Sequence, residues 1–493
     1  MKRRTILKSG LAALVLAGVA PYTLSLLGKG GFAGNALAGE FSRPLPIPPL
    51  LENLDKSGET AHFSMTVQRG HVEFFPGRTT SSFGYNGNFL GPTIRVRNGQ
   101  KFRMELNNNL SQTTTLHWHG LHVPAEWDGG PRQPVAPGAR WKPEFTIRQE
   151  AATLWYHPHA MGLTGEQVYN GLAGLFYIED DFSDTLDIPG TYGVDDIPLV
   201  LQDRRFYSNG QFAYARNMHD VVNGVTGNYF LVNGAMQPTL TVASGLVRLR
   251  LLNGSNSSIY TIHFTDQRSF TMIASDGGFL EEPVNLQSIV LSAGERAEVL
   301  LDLSDAEAGT KLSLLVDQMG GSRFEAMRIE LEGSAGRSFE LPGELRKRAP
   351  IEQSEATVVR SFTMETMGTG SGMGMGMMGR RLTINGKKMD INRIDEEIQL
   401  GSTEIWEISN QAGMMMSMPH SMHLHDVQFQ LLSRNGVAPP PHERGRKDTV
   451  LIMPGETVRI LSRFRDYTGI YMYHCHLLEH EDDGMMGQFE VVG

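Results

Sequence analysis

A single cysteine, Cys475, stands among the 493 residues, so no disulfide can form within the chain. Long apolar runs are just as scarce. The stretch from Leu11 to Ala20 is too short and too interrupted by glycine to cross a bilayer, which makes stable membrane insertion unexpected. Segments with a 3.6-residue apolar period are few, which disfavours a helical bundle. An excess of positive charge is also missing: the net charge is −10, with 44 basic against 54 acidic residues. Nucleic acid is therefore not an expected partner.

The N-terminus reads as a leader. Lys2-Arg3-Arg4-Thr5-Ile6-Leu7-Lys8 precedes the apolar run, and Ala36-Leu37-Ala38 offers a small-residue cleavage site. Paired arginines in this setting resemble a twin-arginine export signal, so a periplasmic or otherwise exported protein cut after Ala38 is expected. Removing residues 1–38 takes away five basic residues and no acidic one, which leaves 39 against 54 and a charge of −15. An unpaired thiol in an oxidising compartment is a liability unless a metal occupies it.

Runs rich in Val, Ile, Leu, Thr and Phe alternate with Asn-Gly and Pro-Gly turns, which predicts an all-β protein. A long-period repeat lies over this pattern. Pro137-Gly138-Ala139-Arg140, Ala293-Gly294-Glu295-Arg296 and Pro454-Gly455-Glu456-Thr457 each open a strand-like run. Nineteen residues after the glycine, the first and third copies reach His157 and His474, while the middle copy reaches Ser313. His263, in the middle copy, has no histidine two residues on and reads as an ordinary core or surface residue. Three domains are expected, at 39–182, 190–335 and 350–493, the middle one without metal ligands.

Ten of the sixteen histidines fall into four motifs: His117-Trp118-His119, His157-Pro158-His159, His420-Ser421-Met422-His423-Leu424-His425 and His474-Cys475-His476 running on to His480. Side chains on a strand alternate between faces, so each His-x-His pair shares one face and can serve one metal or two adjacent ones. At 475 the cysteine points to the opposite face from its two neighbours. With nearby histidines and Met485 it supplies the two-His, one-Cys, axial-Met set of a blue-copper electron-transfer site. Zinc also takes Cys and His, yet zinc sites seldom use a thioether and give no reason to join a thiolate to a histidine cluster.

With all four motifs present in order, the mature chain resembles the multicopper oxidases, particularly exported bacterial cuprous oxidases and laccase-like enzymes. The resemblance implies three cupredoxin-like Greek-key β-sandwich domains, with a trinuclear site between the first and third. It implies four coppers per monomer: a type 1 ion held by His420, Cys475 and His480 with Met485 axial, and a type 2 ion held by His117 and His423. Of two type 3 ions, one would take His119, His157 and His476 and the other His159, His425 and His474. Cys475 would carry electrons between the centres, and Asp128 and Glu481 match acidic positions that relay protons.

A methionine-rich insert at 364–379, with Gly372-Met373-Gly374-Met375-Gly376-Met377-Met378-Gly379 at its heart, offers soft thioethers suited to Cu(I). Such inserts occur over the type 1 site of cuprous oxidases. By that likeness Met364, Met367 and Met418 are candidate substrate-copper ligands, although Met416 stands where those enzymes carry Asp. The expected reaction is oxidation of Cu(I) or a small-molecule reductant coupled to reduction of O2 to water by a monomer active in copper tolerance. Laccase-like oxidation of phenols and amines is the first alternative, and copper sequestration without turnover the second.

Overall fold

The computed structural model describes residues 41–493 except 215–216, 341–342, 367–381 and 412–417. The expected leader at 1–38, Met367 and Met416 lie outside the described residues. Strand formation follows the alternation in the sequence. In Thr60–Phe75, Ala61, Phe63, Met65 and Val67 turn inward while the residues between them stay partly exposed.

The chain builds three cupredoxin-like β-sandwiches, each from two sheets: five and four strands in the first, seven and five in the second, six and five in the third. One crossover recurs in all three. The opening strand of each unit runs parallel to a later strand, with Thr60 opposite Lys101, Asp196 opposite Arg248 and Val358 opposite Glu404. The landmark glycines recur with it. Gly138, Gly294 and Gly455 take φ of 74°, 88° and 77°, a left-handed turn that glycine enters without strain.

Two details depart from the sequence reading. Leu45 donates its N–H to Thr239 O, and Arg328 stacks over Phe41, so the segment from Phe41 to Leu45 packs on the second sandwich rather than the first. In the middle unit His263 pairs with Leu315, two residues beyond Ser313. His263 is half-buried and meets Asp317, as befits an ordinary residue. Among the described residues no helix is long and apolar enough to cross a membrane.

Candidate metal centres

The first and third sandwiches set their histidine strands in matching registers. His117 lies opposite His157 on the antiparallel pair His117–His119 and Ala152–His157. His423 lies opposite His474 on His420–Leu424 and Gly469–Cys475. The two strand pairs meet face to face, with His117 stacked on His425 at 3.9 Å between ring centroids and His119 on His423 at 3.7 Å. All eight histidines are buried.

Nine of the ten motif histidines have one ring nitrogen fixed by an oxygen of the protein, which leaves the other free to present a lone pair. His159 Nδ1 donates to Glu481 Oε1 at 3.1 Å, His425 Nδ1 to Asp128 Oδ2 at 2.8 Å and His474 Nδ1 to the Cys475 carbonyl at 3.1 Å. Their Nε2 atoms then converge, with His159 and His425 each 3.2 Å from His474. His119 is turned the other way: its Nε2 donates to Asp448 Oδ1 at 3.0 Å, which aims Nδ1 at His157 Nε2, 3.4 Å off. His157 Nδ1 is held by the Pro158 carbonyl. His117 and His423 are held at Nδ1 by the carbonyls of Asp128 and Asp448.

Four buried nitrogens are left over. The Nε2 atoms of His117 and His423 and both ring nitrogens of His476 have no hydrogen-bond partner among the described residues. Buried polar atoms are seldom left this way unless something binds them. Burial and neighbouring imidazoles push His119, His157, His159, His423 and His474 well below the usual histidine range, and burial takes His425 to about 4 and His476 to about 3. They are neutral, as metal ligands must be.

A second group lies on the other face of the same strand. Cys475 Sγ is 3.5 Å from His420 Nδ1 and 3.6 Å from His480 Nδ1, and the two nitrogens are 3.3 Å apart. His420 Nε2 donates to Thr366 Oγ1 at 3.0 Å and His480 Nε2 to the Val222 carbonyl, also at 3.0 Å. Met485 is buried in the same core, and its carbonyl accepts the Cys475 N–H. Burial pushes the thiol up to about 12, so metal binding there must displace its proton. The donor chemistry of both groups, neutral imidazoles with one thiol and one thioether, suits copper.

The two carboxylates singled out in the sequence both touch the histidines, in different electrostatic states. Burial raises Asp128, but attraction to His425 and His117 and their hydrogen bonds outweigh it and hold the carboxyl well below its usual range. Glu481, which also approaches His474 Nδ1 at 3.4 Å, is pushed well above that range by burial and by Asp482. Residues that sequence reasoning missed are Asp448, Thr366, Val222 and Arg296. None belongs to a recognisable motif, and Arg296 reaches in from the middle sandwich.

The methionines singled out as candidate substrate-copper ligands fare differently from the motif histidines. Met364 is a core residue: it lies fully buried in the strand Val358–Thr366, opposite Ile384 and Asn410. The sequence reading placed it in the insert because the Gly-Met run hides where the strand ends. Glu365 is engaged by the Thr383 hydroxyl. Met418 is half-buried, two residues before His420.

Known proteins resemble this chain in sequence and fold. Multicopper oxidase family models match residues 66–183, 198–310 and 357–493. A multicopper oxidase of Staphylococcus haemolyticus is 38% identical over 445 residues, 90% of this chain and 92% of the relative. The cell division protein FtsP of Escherichia coli is 36% identical over 499 residues, covering 99% and 98%. The crystal structure of a laccase from Pediococcus acidilactici superposes with a TM-score of 0.85 at 39% identity, over 92% of this chain and 95% of that one. Three matched regions, near-complete coverage and two buried groups of copper-suited donors lead to one assignment: the chain belongs to the multicopper oxidase family and is an oxidoreductase.

Proposed function

We propose that the protein is an exported, monomeric cuprous oxidase that couples one-electron oxidation of Cu(I) to four-electron reduction of O2 to water and serves copper tolerance. The observation that carries the coupling is the position of Cys475 between His474 and His476. A single residue of backbone separates the cysteine group from the histidine group. His420, Cys475, His480 and Met485 would hold a type 1 copper, and His117 with His423 a type 2. His119, His157 and His476 would hold one type 3 ion, and His159, His425 and His474 the other. Bound copper supplies one-electron storage, and four ions hold the four electrons that O2 reduction takes.

The chain's own residues manage the protons. Glu481, whose proton affinity is raised, lies beside His159 and His474, and Asp128 lies beside His117 and His425. Both carboxylates are thus placed to pass protons to and from the seam.

Support for Cu(I) comes from what borders His420. Thr366, hydrogen-bonded to His420, is the last described residue before the segment bearing Met367, Met373, Met375, Met377 and Met378. Met418 follows the segment bearing Met414, Met415 and Met416. The described residues that flank the two methionine-rich segments, Thr366 and Met418, thus lie in contact with His420 or two positions from it. The likeness to a laccase favours a second reading, oxidation of phenols or aromatic amines. The likeness to a cell division protein leaves the site chemistry to decide, and here every ligand position is filled.

Oxygen uptake by the copper-loaded protein, with Cu(I) and with a phenol, before and after deletion of residues 367–379, tests the reading. The deletion should slow Cu(I) oxidation and spare or speed phenol oxidation. Unchanged Cu(I) oxidation overturns the substrate, and no uptake with either donor points to sequestration.

A further inference from the structure

A cavity of about 880 Å³ opens where the first sandwich, the linker around Lys347–Ile351 and the third sandwich meet. Its walls are basic in a protein whose net charge is −10. Six cations line it: Arg148, Lys347, Arg348, Arg446, Arg463 and Arg465. Three carboxylates also line it, and each is already engaged. Glu150 binds Arg346 and Arg348, Asp426 binds His122, and Asp466 binds His122 and Arg465.

Arg446 is the telling residue. Its Nη1 is buried with no hydrogen-bond partner, and among the described residues no carboxylate lies within ion-pair reach of its guanidinium. Burial, Arg348, Arg463 and Arg465 together push it below the usual arginine range, with Glu150 opposing them. Arg348, Arg463 and Arg465 are paired with Glu150, Glu355 and Asp466, which leaves Arg446 as the one guanidinium of the four without a carboxylate among the described residues. A cluster of this kind is self-repelling unless an anion joins it, and guanidinium forks match the paired oxygens of tetrahedral oxyanions.

We propose that this cavity binds a small multivalent oxyanion, a molecule bearing several sulfate or phosphate groups, with Arg446 at its centre and Arg348, Arg463 and Arg465 around it. The volume exceeds what one sulfate fills, which is why the ligand is multivalent. The site stands apart from the cysteine group, but its wall includes Asp426, next to His425. Gln149, also in the wall, donates to the carbonyl of Gly120, next to His119. An occupant would therefore brace the seam that holds the histidines.

The test is calorimetric titration of the copper-loaded full-length mature protein with inositol hexasulfate and, separately, with pyrophosphate, each against sodium chloride of matched ionic strength. The blue absorbance is followed throughout to confirm that copper stays bound. Saturable binding of at least one anion, at one site per chain, is expected, and the tighter of the two identifies sulfate or phosphate esters as the source. Arg446→Met and, on a more exposed side chain, Arg465→Met should each weaken binding about tenfold or more. Lys311→Met, on the middle sandwich, should not. No binding beyond the salt control, or less than tenfold weakening in whichever of the two arginine variants folds, overturns the proposal.

Discussion

Arg296 clamps Asp448 with a bidentate pair, Nη1 to Oδ1 at 2.7 Å and Nη2 to Oδ2 at 2.6 Å, and both side chains are wholly buried. Asp448 in turn fixes His119. A sandwich with no candidate ligand of its own thus sets the orientation of a ligand at the seam between the other two. Arg296→Met would leave the carboxylate uncompensated, at a cost of about 3–5 kcal/mol. Thermal unfolding should shift down, and elemental analysis should find less copper per chain. Arg296→Lys should rescue only part of both, because an ammonium keeps the charge and loses the fork.

Gly294 makes a second contact from the middle unit. A Cβ there would lie 3.0 Å from three atoms of the His476 ring, and the backbone sits at φ 88°. Gly294→Ala is expected to cost roughly 1–2 kcal/mol in backbone strain and to displace His476. Oxygen consumption should fall while the blue absorbance persists, and equal activity would show that His476 tolerates the shift.

Cys475→Ser removes the only thiolate ligand and leaves the eight clustered histidines in place. The variant should bind copper at the histidine group, lack the blue absorbance and consume no oxygen with any donor. Turnover in a colourless variant would break the proposed link between the groups.

The acid limb of stability should carry the mark of Glu298. Burial raises this carboxyl, but Arg248 and Arg250 outweigh burial and bring it down to about 2. A depressed carboxylate stabilises the fold above its unfolded-state value near 4.5 and loses that contribution as pH falls toward 2. The loss amounts to roughly 3 kcal/mol. Denaturant titrations across that window should show a steeper fall for the parent than for Glu298→Gln, which starts lower and varies less.

Much of the site was legible because its ligands come as short-range patterns. Alternation on a strand places both histidines of a His-x-His pair on one face whatever surrounds them, and the three glycine turns marked the repeat. The positions of Asp128 and Glu481 were legible too. Their opposite proton affinities were not, since one faces imidazoles and the other faces Asp482 and Glu479, neighbours that only the fold supplies.

The methionines mark where local reading ran out. Met364 reads in the sequence as the start of the methionine-rich insert, but it belongs to a strand whose side chains alternate into the third core. Composition cannot say where pairing with Leu382–Ile384 begins.

The sequence by itself determined the all-β class, the three-copy plan and the candidate donor residues, because each rests on spacing along one strand or turn. Tertiary structure alone decided which ring nitrogen of each histidine faces inward, that Arg296 and Gly294 of the ligand-free sandwich brace the seam, and that a basic cavity lies beside it. Several of those relations join residues far apart in the chain, Arg296 and Asp448 being 152 positions apart, and burial and charge in the packed interface fix them.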